Sequence, residues 1–496
     1  MSGSQAVSVI LLVIALLGGH SLTKAPPLPQ NLDRVLLRTE ATQNDWPLSG
    51  GNYKGWRYSG LTQINKRNVE GLQVAWSLHT GGQNAFESRP LVINGVMYIT
   101  TPRHHVLAVN AKTGQVYWRY ARLLPGSLRH CRAVVDRGVA AGCGKIFLGT
   151  PDCHLVALYA TTGIPAWEIE SANYREGYRY TSAPVIVGNK VIIGVSRNDF
   201  GGNGFIDAYN ADTGKRLWRS GAIPKLHEAK HVDSWRRRGY PVWMPVTYDP
   251  ETNTVFAGVG GPGQEAAGTH PEGTQLNTRF PVALNATTGK LKRDFLRSPH
   301  ICPDQDIDPG APVAYDPVRK RIFISTIAPS TPDGPVRWDR TLGDRMGFPG
   351  PTPDQTTWHL VAIDVESKQV LWDVTSNHPL AAGVTCTASG LVITGTLSGK
   401  MLILDADNGK TLYAFKAPSG WCSAPVVYAV DGKEYIAFAN GASERTIDHS
   451  GPGALTVKST SRPNAMFAFT LPTKRKNPLL TPVRAAGPAK STPDAE

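Results

Sequence analysis

A hairpin motif recurs six times along the chain, and this repeat constrains the fold more than any other feature. Each copy is an apolar strand, a tight turn that usually contains Thr-Gly, and a second strand that usually ends in an aromatic residue. Alternating apolar positions favour strands, the glycine supplies the positive φ of a tight hairpin, and the large ring fills space between packed sheets. The copies span residues 106–120, 155–169, 206–220, 281–295, 360–374 and 401–415.

Further short apolar segments lie between these hairpins, so that each repeating unit contains four predicted strands. The high content of glycine (50) and proline (38) with only 18% charged residues agrees with many short strands and turns. Four-stranded units repeated around an axis are typical of a β-propeller. A solenoid is the alternative, but hairpins spaced by long insertions suit propeller blades better. The predicted fold class is therefore all-β, a β-propeller of four-stranded blades.

The two ends of the repeat region complement each other. The segment "GLQVAWSLHT" (71–80) has only an aromatic-ending strand, whereas "MFAFTLP" (466–472) has only the lead strand of a hairpin. These two strands are predicted to pair, because pairing closes the ring and removes exposed sheet edges.

The chain begins with an apolar run at residues 6–17 that is short for a membrane span. Residues 1–25 therefore indicate a secretory signal peptide, although the lack of Lys or Arg before the run leaves an uncleaved N-terminal anchor open. We expect a linker over 26–44, the propeller over 45–472 and a disordered basic, Pro-rich tail over 473–496. Export implies a periplasmic or secreted protein in an oxidising compartment, where six cysteines allow about 15 pairings.

The net charge of +13 is dispersed except in the segments "SWRRRGY" and "LPTKRKNP". Together with export, this pattern indicates no nucleic-acid role and favours a charged periplasmic partner or solubility. The chain contains no C-x-x-C-H, so no c-type haem is attached to it.

Several segments together resemble the pyrroloquinoline quinone (PQQ)-dependent alcohol and methanol dehydrogenases. These are "DWPLSGGNYKGWRYSGLTQINKRNVEGLQVAW" (45–76), the blade motif A-x-N/D-A-x-T-G-K-x-x-W and "SGWCSAPVVYAVDGKEYIAFANG" (419–441). The resemblance covers about residues 45–472 and implies an eight-bladed propeller that binds PQQ and Ca²⁺ or a lanthanide ion. The interval between the turns at Gly289 and Lys368 is too long for one blade and too short for two complete blades. Seven blades, or eight with one degenerate, are therefore the alternatives.

The resemblance also implies which residues bind the cofactor. Glu87, Arg137 and Thr181 occupy the places of the family residues that hydrogen-bond the quinone, and an arginine fork suits carboxylates. Trp243 stands at the place of the tryptophan that stacks on the quinone, and Trp421 at that of another pocket tryptophan. The alternative is that Glu87 and Arg137 are ordinary loop residues or pair with one another, and that both tryptophans pack between blades.

The expected metal site departs from the family pattern. In "GVSRNDFGGNG" the family's Ser is kept as Ser196, but Asp199 replaces the ligand glutamate, and Gly261 stands where the family has a ligand asparagine. Aspartate is one methylene shorter than glutamate, so it reaches a hard cation only if the cation or the backbone shifts.

The catalytic base depends on how "SPHICPDQDIDPGAPVAYDP" (298–317) is aligned. One alignment makes Asp304 the general base and Asp306 a metal ligand. The other, which matches "CP" and "AYDP", assigns the segment to the start of a later blade and leaves the family's base missing.

These features predict a PQQ-dependent dehydrogenase that oxidises a small alcohol in the periplasm and passes electrons to cytochrome c or another carrier. The alternative function is a catalytically degenerate propeller that serves as a binding or scaffold module.

Overall fold

The computed structural model describes the strands of the ring and parts of the segments that flank them. The described residues are 23–30, 32–37, 44–81, 85–102, 104–126, 128, 136–197, 204–221, 242, 245–259, 280–292, 313–329, 356–442 and 464–472. Most of the predicted signal peptide and all of the predicted tail lie outside these ranges. The predicted linker contains a short helix, α1 (Leu32–Leu37).

Within the described residues the strands form seven sheets, numbered here as blades 1–7, which are antiparallel except for the parallel pairing of β1 with β23. The first two short strands of the chain are β1 (Tyr58–Ser59) and β2 (Gln73–His79), which join the last two blades. Blade 1 contains β3 (Leu91–Ile93), β4 (Val96–Thr100), β5 (His105–Asn110) and β6 (Val116–Ala121). Blade 2 contains β7 (Ala140–Gly142), β8 (Lys145–Gly149), β9 (His154–Tyr159) and β10 (Pro165–Glu170). Blade 3 contains β11 (Tyr178–Arg179), β12 (Val185–Val187), β13 (Lys190–Arg197), β14 (Phe205–Asn210) and β15 (Arg216–Gly221).

The remaining four blades follow the same order. Blade 4 contains β16 (Thr247–Asp249), β17 (Thr254–Val259) and β18 (Phe280–Asn285). Blade 5 contains β19 (Ala314–Asp316), β20 (Arg321–Pro329), β21 (Thr356–Asp364) and β22 (Val370–Ser376). Blade 6 contains β1, β23 (Thr385–Thr387), β24 (Leu391–Gly395), β25 (Lys400–Asp405) and β26 (Thr411–Lys416). Blade 7 contains β27 (Val426–Val430), β28 (Lys433–Asn440), β29 (Ala465–Thr470) and β2. Two 3₁₀ turns, Val69–Gly71 and Tyr174–Glu176, lie between strands.

Burial distinguishes the inner from the outer strands of the blades. The short strands β3, β7, β12 and β23 are buried at every residue, whereas β2, β10 and β26 consist mainly of exposed and partly buried positions. Apolar side chains therefore fill the space between neighbouring blades, as with the edge-to-face rings of Phe415 in blade 6 and Phe469 in blade 7. This arrangement confirms the predicted all-β propeller of mostly four-stranded blades.

The ring is closed by strands from the two ends of the repeat region. Strand β2 pairs antiparallel with β29 from Gln73 opposite Thr470 to His79 opposite Ala465. The predicted pairing of the two incomplete units is therefore confirmed. The result is a blade that draws its outer strand from the start of the chain and its other strands from the end, which leaves no open sheet edge at the seam.

A tryptophan on the outer strand of one blade fastens most blades to the next. Its indole N–H donates to an alanine carbonyl in the next hairpin turn, and its ring lies against the glycine of that turn. A Cβ on each of these glycines would come within 3.0 Å of the ring. The bonds are Trp76 to Ala111 (3.1 Å), Trp118 to Ala160 (2.9 Å), Trp167 to Ala211 (3.1 Å), Trp218 to Ala286 (3.2 Å) and Trp372 to Ala406 (3.0 Å).

Residues 44–66, called here the crossing segment, run over the end of the ring at which the first strands finish. The Asp45 carboxylate accepts a hydrogen bond from the Asn94 N–H in the turn that follows β3. Most blades are contacted in this way. The contacts include Trp46 with Val92, Tyr53 with Ile186 and Tyr248, Trp56 with Tyr315, Arg57 with Cys386 and Ile64 with Glu434. The crossing segment therefore ties distant blades together.

None of the helices in the described part of the chain is long and apolar enough to span a membrane.

Substituting the turn glycine of one joint tests the role of the tryptophan. Gly163 and Gly144 both have φ near +70°, but a Cβ at Gly163 meets Trp118 whereas a Cβ at Gly144 meets nothing within 4 Å. Gly163→Ala should therefore lower the free energy of unfolding by about 2–4 kcal/mol, against about 1 kcal/mol for Gly144→Ala. Thermal and urea unfolding of the two variants measure this, and equal losses would show that the ring contact contributes nothing.

A buried carboxyl that anchors the crossing segment predicts a pH dependence of stability. Glu434 is 1% exposed and accepts a hydrogen bond from the Ile64 N–H (2.9 Å). Burial raises the pKa of Glu434 to about 7, although hydrogen bonds from the backbone of Ile64 and Gln63 oppose this shift. The folded state thus holds a proton that the unfolded state releases, so stability falls as pH rises from about 4.5 to about 7.

Glu434→Gln should remove the loss of stability that accompanies the rise in pH, because glutamine does not ionise. The variant should match the parent near pH 5 and exceed its stability at pH 8 by on the order of 1–3 kcal/mol. Unfolding midpoints at several pH values give the comparison, with the exposed Glu70→Gln as control. A parallel pH dependence in parent and Glu434→Gln would refute a buried proton at this position.

Candidate functional site

Three of the predicted cofactor residues lie just before the first strands of their blades. Glu87 precedes β3, Arg137 precedes β7 and Thr181 precedes β12. The first strands all run in the same direction along the ring axis, so the segments that precede them share one end of the ring. This end is opposite to the crossing segment, and it brings residues far apart in sequence together.

Arg137 connects the first three blades at this end. Its Nη2 lies 2.9 Å from Glu87 Oε2, and its Nη1 donates to the Thr181 carbonyl oxygen at 3.3 Å. The Arg137 and Glu87 side chains are only 6% and 10% exposed. A buried pair of this kind is held strongly, because separating it leaves an uncompensated charge. The sequence-based alternative, that these two residues pair with one another, describes the contact in the structure.

Thr181 contributes a side chain with unused hydrogen-bonding capacity. Its Oγ1 atom is buried and has no hydrogen-bond partner among the residues that the structure describes. Strand β11 places Arg179 opposite Ser196 on β13, so Ser196 lies close to the Thr181 segment. Ser196 is itself buried. Four predicted site residues therefore lie near the start of the first strands of blades 1–3: Glu87, Arg137, Thr181 and Ser196.

Trp421 has a packing role in this structure. Its side chain is fully buried, its Nε1 donates to the Gly399 carbonyl at 2.9 Å, and its ring stacks on Phe438 at 4.4 Å. Phe86 and Tyr180 occupy the corresponding buried positions before the first strands of blades 1 and 3. The indole thus fills a repeated site between blades, and its contact with a cofactor stays a prediction.

Tyr180 also packs between blades, but its side chain carries a hydroxyl group. Burial raises the pKa of Tyr180 well above its ordinary value, and its neutral hydroxyl donates to Ser171 Oγ at 2.6 Å. The residue next to Thr181 is therefore held rigidly.

Four predicted site residues lie outside the described residues: Asp199, Trp243, Asp304 and Asp306. Their roles as metal ligands, stacking ring and general base stay predictions. Among the residues that are described, no three His, Cys, Asp or Glu side chains form a group that could hold a metal ion. No disulfide joins any two of the four described cysteines, Cys143, Cys153, Cys386 and Cys422.

Three buried arginines lie near the described part of the site. Arg89, Arg137 and Arg179 are each less than 10% exposed and lie beside the same three first strands. Guanidinium groups pair with carboxylates in two parallel hydrogen bonds, and the buried Thr181 hydroxyl offers a further donor or acceptor. Donors of this kind can bind carboxylate groups.

Sequence reasoning did not single out two buried residues beside Arg137. His104 Nδ1 lies 3.1 Å from Asp136 Oδ2, and both residues are buried. His104 lies in the turn before β5, on a different blade from Asp136, and no spacing in the sequence relates the two. The sequence does contain a signal for His104, because a histidine stands in this turn where the corresponding turn of blade 6 has Gly399.

Comparison with known proteins adds an independent line of evidence. The profile of the glucose/ethanol/alcohol dehydrogenase β-propeller domain matches residues 46–331, and a profile described as outer membrane protein assembly factor BamB matches residues 358–451. The chain is 27% identical over 539 residues to the quinoprotein alcohol dehydrogenase PedH of Pseudomonas putida, with 86% of this chain and 90% of PedH covered.

Solved structures of similar proteins agree with the fold. The quinohemoprotein alcohol dehydrogenase ADHIIG of Pseudomonas putida HK5 matches with a TM-score of 0.69 and 25% identity, covering 90% of this chain and 83% of that one. The quinohemoprotein alcohol dehydrogenase of Comamonas testosteroni matches with a TM-score of 0.72 and 22% identity, covering 92% and 85%. The second likeness concerns the fold alone.

The unpartnered hydroxyl of Thr181 predicts an unusual response to substitution. Thr181→Val should raise the free energy of unfolding of the cofactor-free protein by about 1 kcal/mol, because a buried hydroxyl without a hydrogen bond is costly. The control is Thr385→Val, since the buried Thr385 hydroxyl donates to the Pro425 carbonyl at 2.6 Å and its loss should cost about 1 kcal/mol. Urea unfolding distinguishes the two signs, and equal losses would mean that Thr181 has a partner beyond the described residues.

Proposed function

The chain belongs to the glucose/ethanol/alcohol dehydrogenase β-propeller family, and on this premise we propose that it is a PQQ-dependent dehydrogenase that oxidises a small alcohol. The observation that carries the proposal is the convergence of Glu87, Arg137 and Thr181 at one end of the ring. These are the positions that the family resemblance assigns to the quinone. The proposal extends to the periplasm as the site of action, since residues 1–25 have the pattern of a secretory signal.

The residues at this site have separate roles in the proposal. Arg137 pairs with a carboxylate of the cofactor, and the Thr181 hydroxyl hydrogen-bonds a neighbouring oxygen. Glu87 keeps the guanidinium oriented through the 2.9 Å contact with Nη2. Ser196 and the ring of Trp421 are proposed to border the same site, and Trp243 is the proposed stacking residue. When bound, PQQ supplies the electron acceptor that the protein's own side chains lack.

The acid–base and metal chemistry is assigned to residues of the family pattern. Asp304 is proposed to remove the alcohol proton, and Asp199 and Asp306 are proposed to hold Ca²⁺ or a lanthanide ion through carboxylate oxygens. A cofactor that has accepted electrons from the alcohol must pass them to another electron carrier before the next turnover. Because the chain has no C-x-x-C-H for covalent haem, we propose a separate carrier such as a periplasmic cytochrome c.

A binding module without turnover is the second candidate function. The observation that favours it is the altered metal pattern, in which Asp199 replaces the family's ligand glutamate and Gly261 its ligand asparagine. In that case PQQ or another anion binds, but no alcohol is oxidised.

Cofactor titration separates the two functions. Purified protein is mixed with PQQ and Ca²⁺, and separately with PQQ and La³⁺, and bound quinone and alcohol-dependent dye reduction are measured. Arg137→Gln should weaken PQQ binding by about tenfold or more, because a charge-assisted hydrogen bond is lost. The control is Arg321→Gln, since Arg321 makes a more exposed ion pair with Asp407 at 2.8 Å in another part of the ring.

Turnover then depends on the proposed base. Asp304→Asn should keep PQQ binding and lower dye reduction by a factor of about 10² to 10⁴. No bound quinone with either metal would refute the proposed dehydrogenase. Bound quinone without dye reduction in the parent protein would support the binding module instead.

A further inference from the structure

A serine recurs just before the first strand of several blades and ties that strand to the second one. Ser88 Oγ accepts the Thr100 N–H at 3.1 Å, Ser182 Oγ donates to the Gly194 carbonyl at 3.3 Å, and Ser423 Oγ accepts the Ala439 N–H at 3.2 Å. Blade 2 has Arg137 at the corresponding position in its segment "DRGVA". The side chain of Arg137 extends to Glu87 and Thr181, so this blade lacks the serine contact.

The backbone around Arg137 is held in a different way. Asp136 Oδ1 accepts the Gly138 N–H at 2.9 Å, which closes a local turn across Arg137. Gly138 has φ +124°, and a Cβ there would lie 2.9 Å from the Arg89 carbonyl oxygen. The Arg89 N–H in turn donates to the Arg137 carbonyl at 3.3 Å. The arginine therefore sits in a tight turn whose shape depends on Asp136.

His104 of blade 1 holds Asp136 from the neighbouring blade. Its Nδ1 lies 3.1 Å from Asp136 Oδ2, and its side chain is completely buried. With Nδ1–H directed at the carboxylate, Nε2 is a buried acceptor that has no hydrogen-bond partner among the described residues. Both oxygens of Asp136 are thus used, one for the turn and one for the imidazole.

The backbone of His104 has a strained conformation, which is clear from comparison with the corresponding turns of other blades. The N–H of His104 donates to the Thr101 carbonyl, as Gly399 does to Thr396 and Cys153 to Thr150 in the corresponding turns. All three residues have positive φ, which is +56° for His104. Glycine adopts this conformation without cost, whereas histidine adopts it at the expense of backbone energy. A strained residue with a buried, half-satisfied ring indicates that the side chain has a function.

We propose that His104 and Asp136 form a positioning pair that fixes the turn of Arg137, so that its guanidinium is pre-oriented for a carboxylate of the ligand. The proposal rests on the proposed function for the identity of that ligand, but not for the contact itself. Groups that orient a binding residue lower the cost of ordering it when the ligand arrives.

Cofactor binding tests the pair with three variants. His104→Gly relieves the backbone but removes the imidazole, so it should weaken PQQ binding about fivefold to tenfold while shifting the unfolding midpoint little. His104→Asn should restore most of the affinity, because asparagine tolerates positive φ and its amide can donate to Asp136. His359→Ala removes the 2.8 Å contact between His359 and Asp373 in blade 5 and should leave affinity unchanged.

Parent-like affinity in His104→Gly, or equally poor affinity in His104→Gly and His104→Asn, would overturn the proposal.

A second measurement works without any cofactor. Glu87→Gln, Arg137→Gln and the double variant are compared by unfolding midpoint in the parent and in the His104→Gly background. The two substitutions should be non-additive in the parent, and the non-additivity should fall by more than half in His104→Gly. Unchanged non-additivity would refute the positioning pair. If PQQ fails to bind but the non-additivity falls as expected, the proposed function is wrong and the positioning pair stands.

Discussion

The contact between a tryptophan of one blade and the turn of the next is the interaction on which the ring depends. The indole N–H satisfies an alanine carbonyl at 2.9–3.2 Å, and the ring lies directly on a glycine that has no side chain to obstruct it. One contact therefore combines a hydrogen bond, apolar burial and a steric requirement. Repetition of this joint sets the spacing of neighbouring blades. It therefore also sets the spacing of the loops that carry Glu87, Arg137 and Thr181.

The tryptophan–turn contact is absent or altered between the blades whose hairpin sequences depart from the repeat. Between blades 6 and 7 the outer strand carries Tyr413, whose hydroxyl donates to the Leu72 carbonyl at 3.2 Å. Between blades 4 and 5 the sequence has Arg293 at the tryptophan position and Lys368, with φ +59°, at the glycine position. The connection that follows Arg293 carries Asp304 and Asp306, the proposed base and ligand. The least regular part of the ring is thus the part in which the predicted chemistry departs most from the family.

The candidate site also arises from a departure from the repeat. Serines tie the first strand to the second in blades 1, 3 and 7, and Arg137 replaces the serine in blade 2. The Arg137 side chain instead reaches Glu87 on blade 1 and the Thr181 carbonyl on blade 3. The crossing segment holds the opposite end of the ring, where Ile64 is bound to the buried Glu434. A rigid ring with one specialised end follows from these two sets of contacts.

Much of this could be read from the sequence, because the information is local and repeated. The hairpins, their turn glycines and the pairing of the two incomplete end units follow from periodicity and turn chemistry. The family resemblance placed Glu87, Arg137 and Thr181 in one site, and periodicity alone could not have done so. The contact of His104 with Asp136 and the anchoring of Ile64 by Glu434 were decided only by the tertiary structure. These pairs join residues on different elements, and their energies depend on burial and on the distance between blades, which no local pattern records.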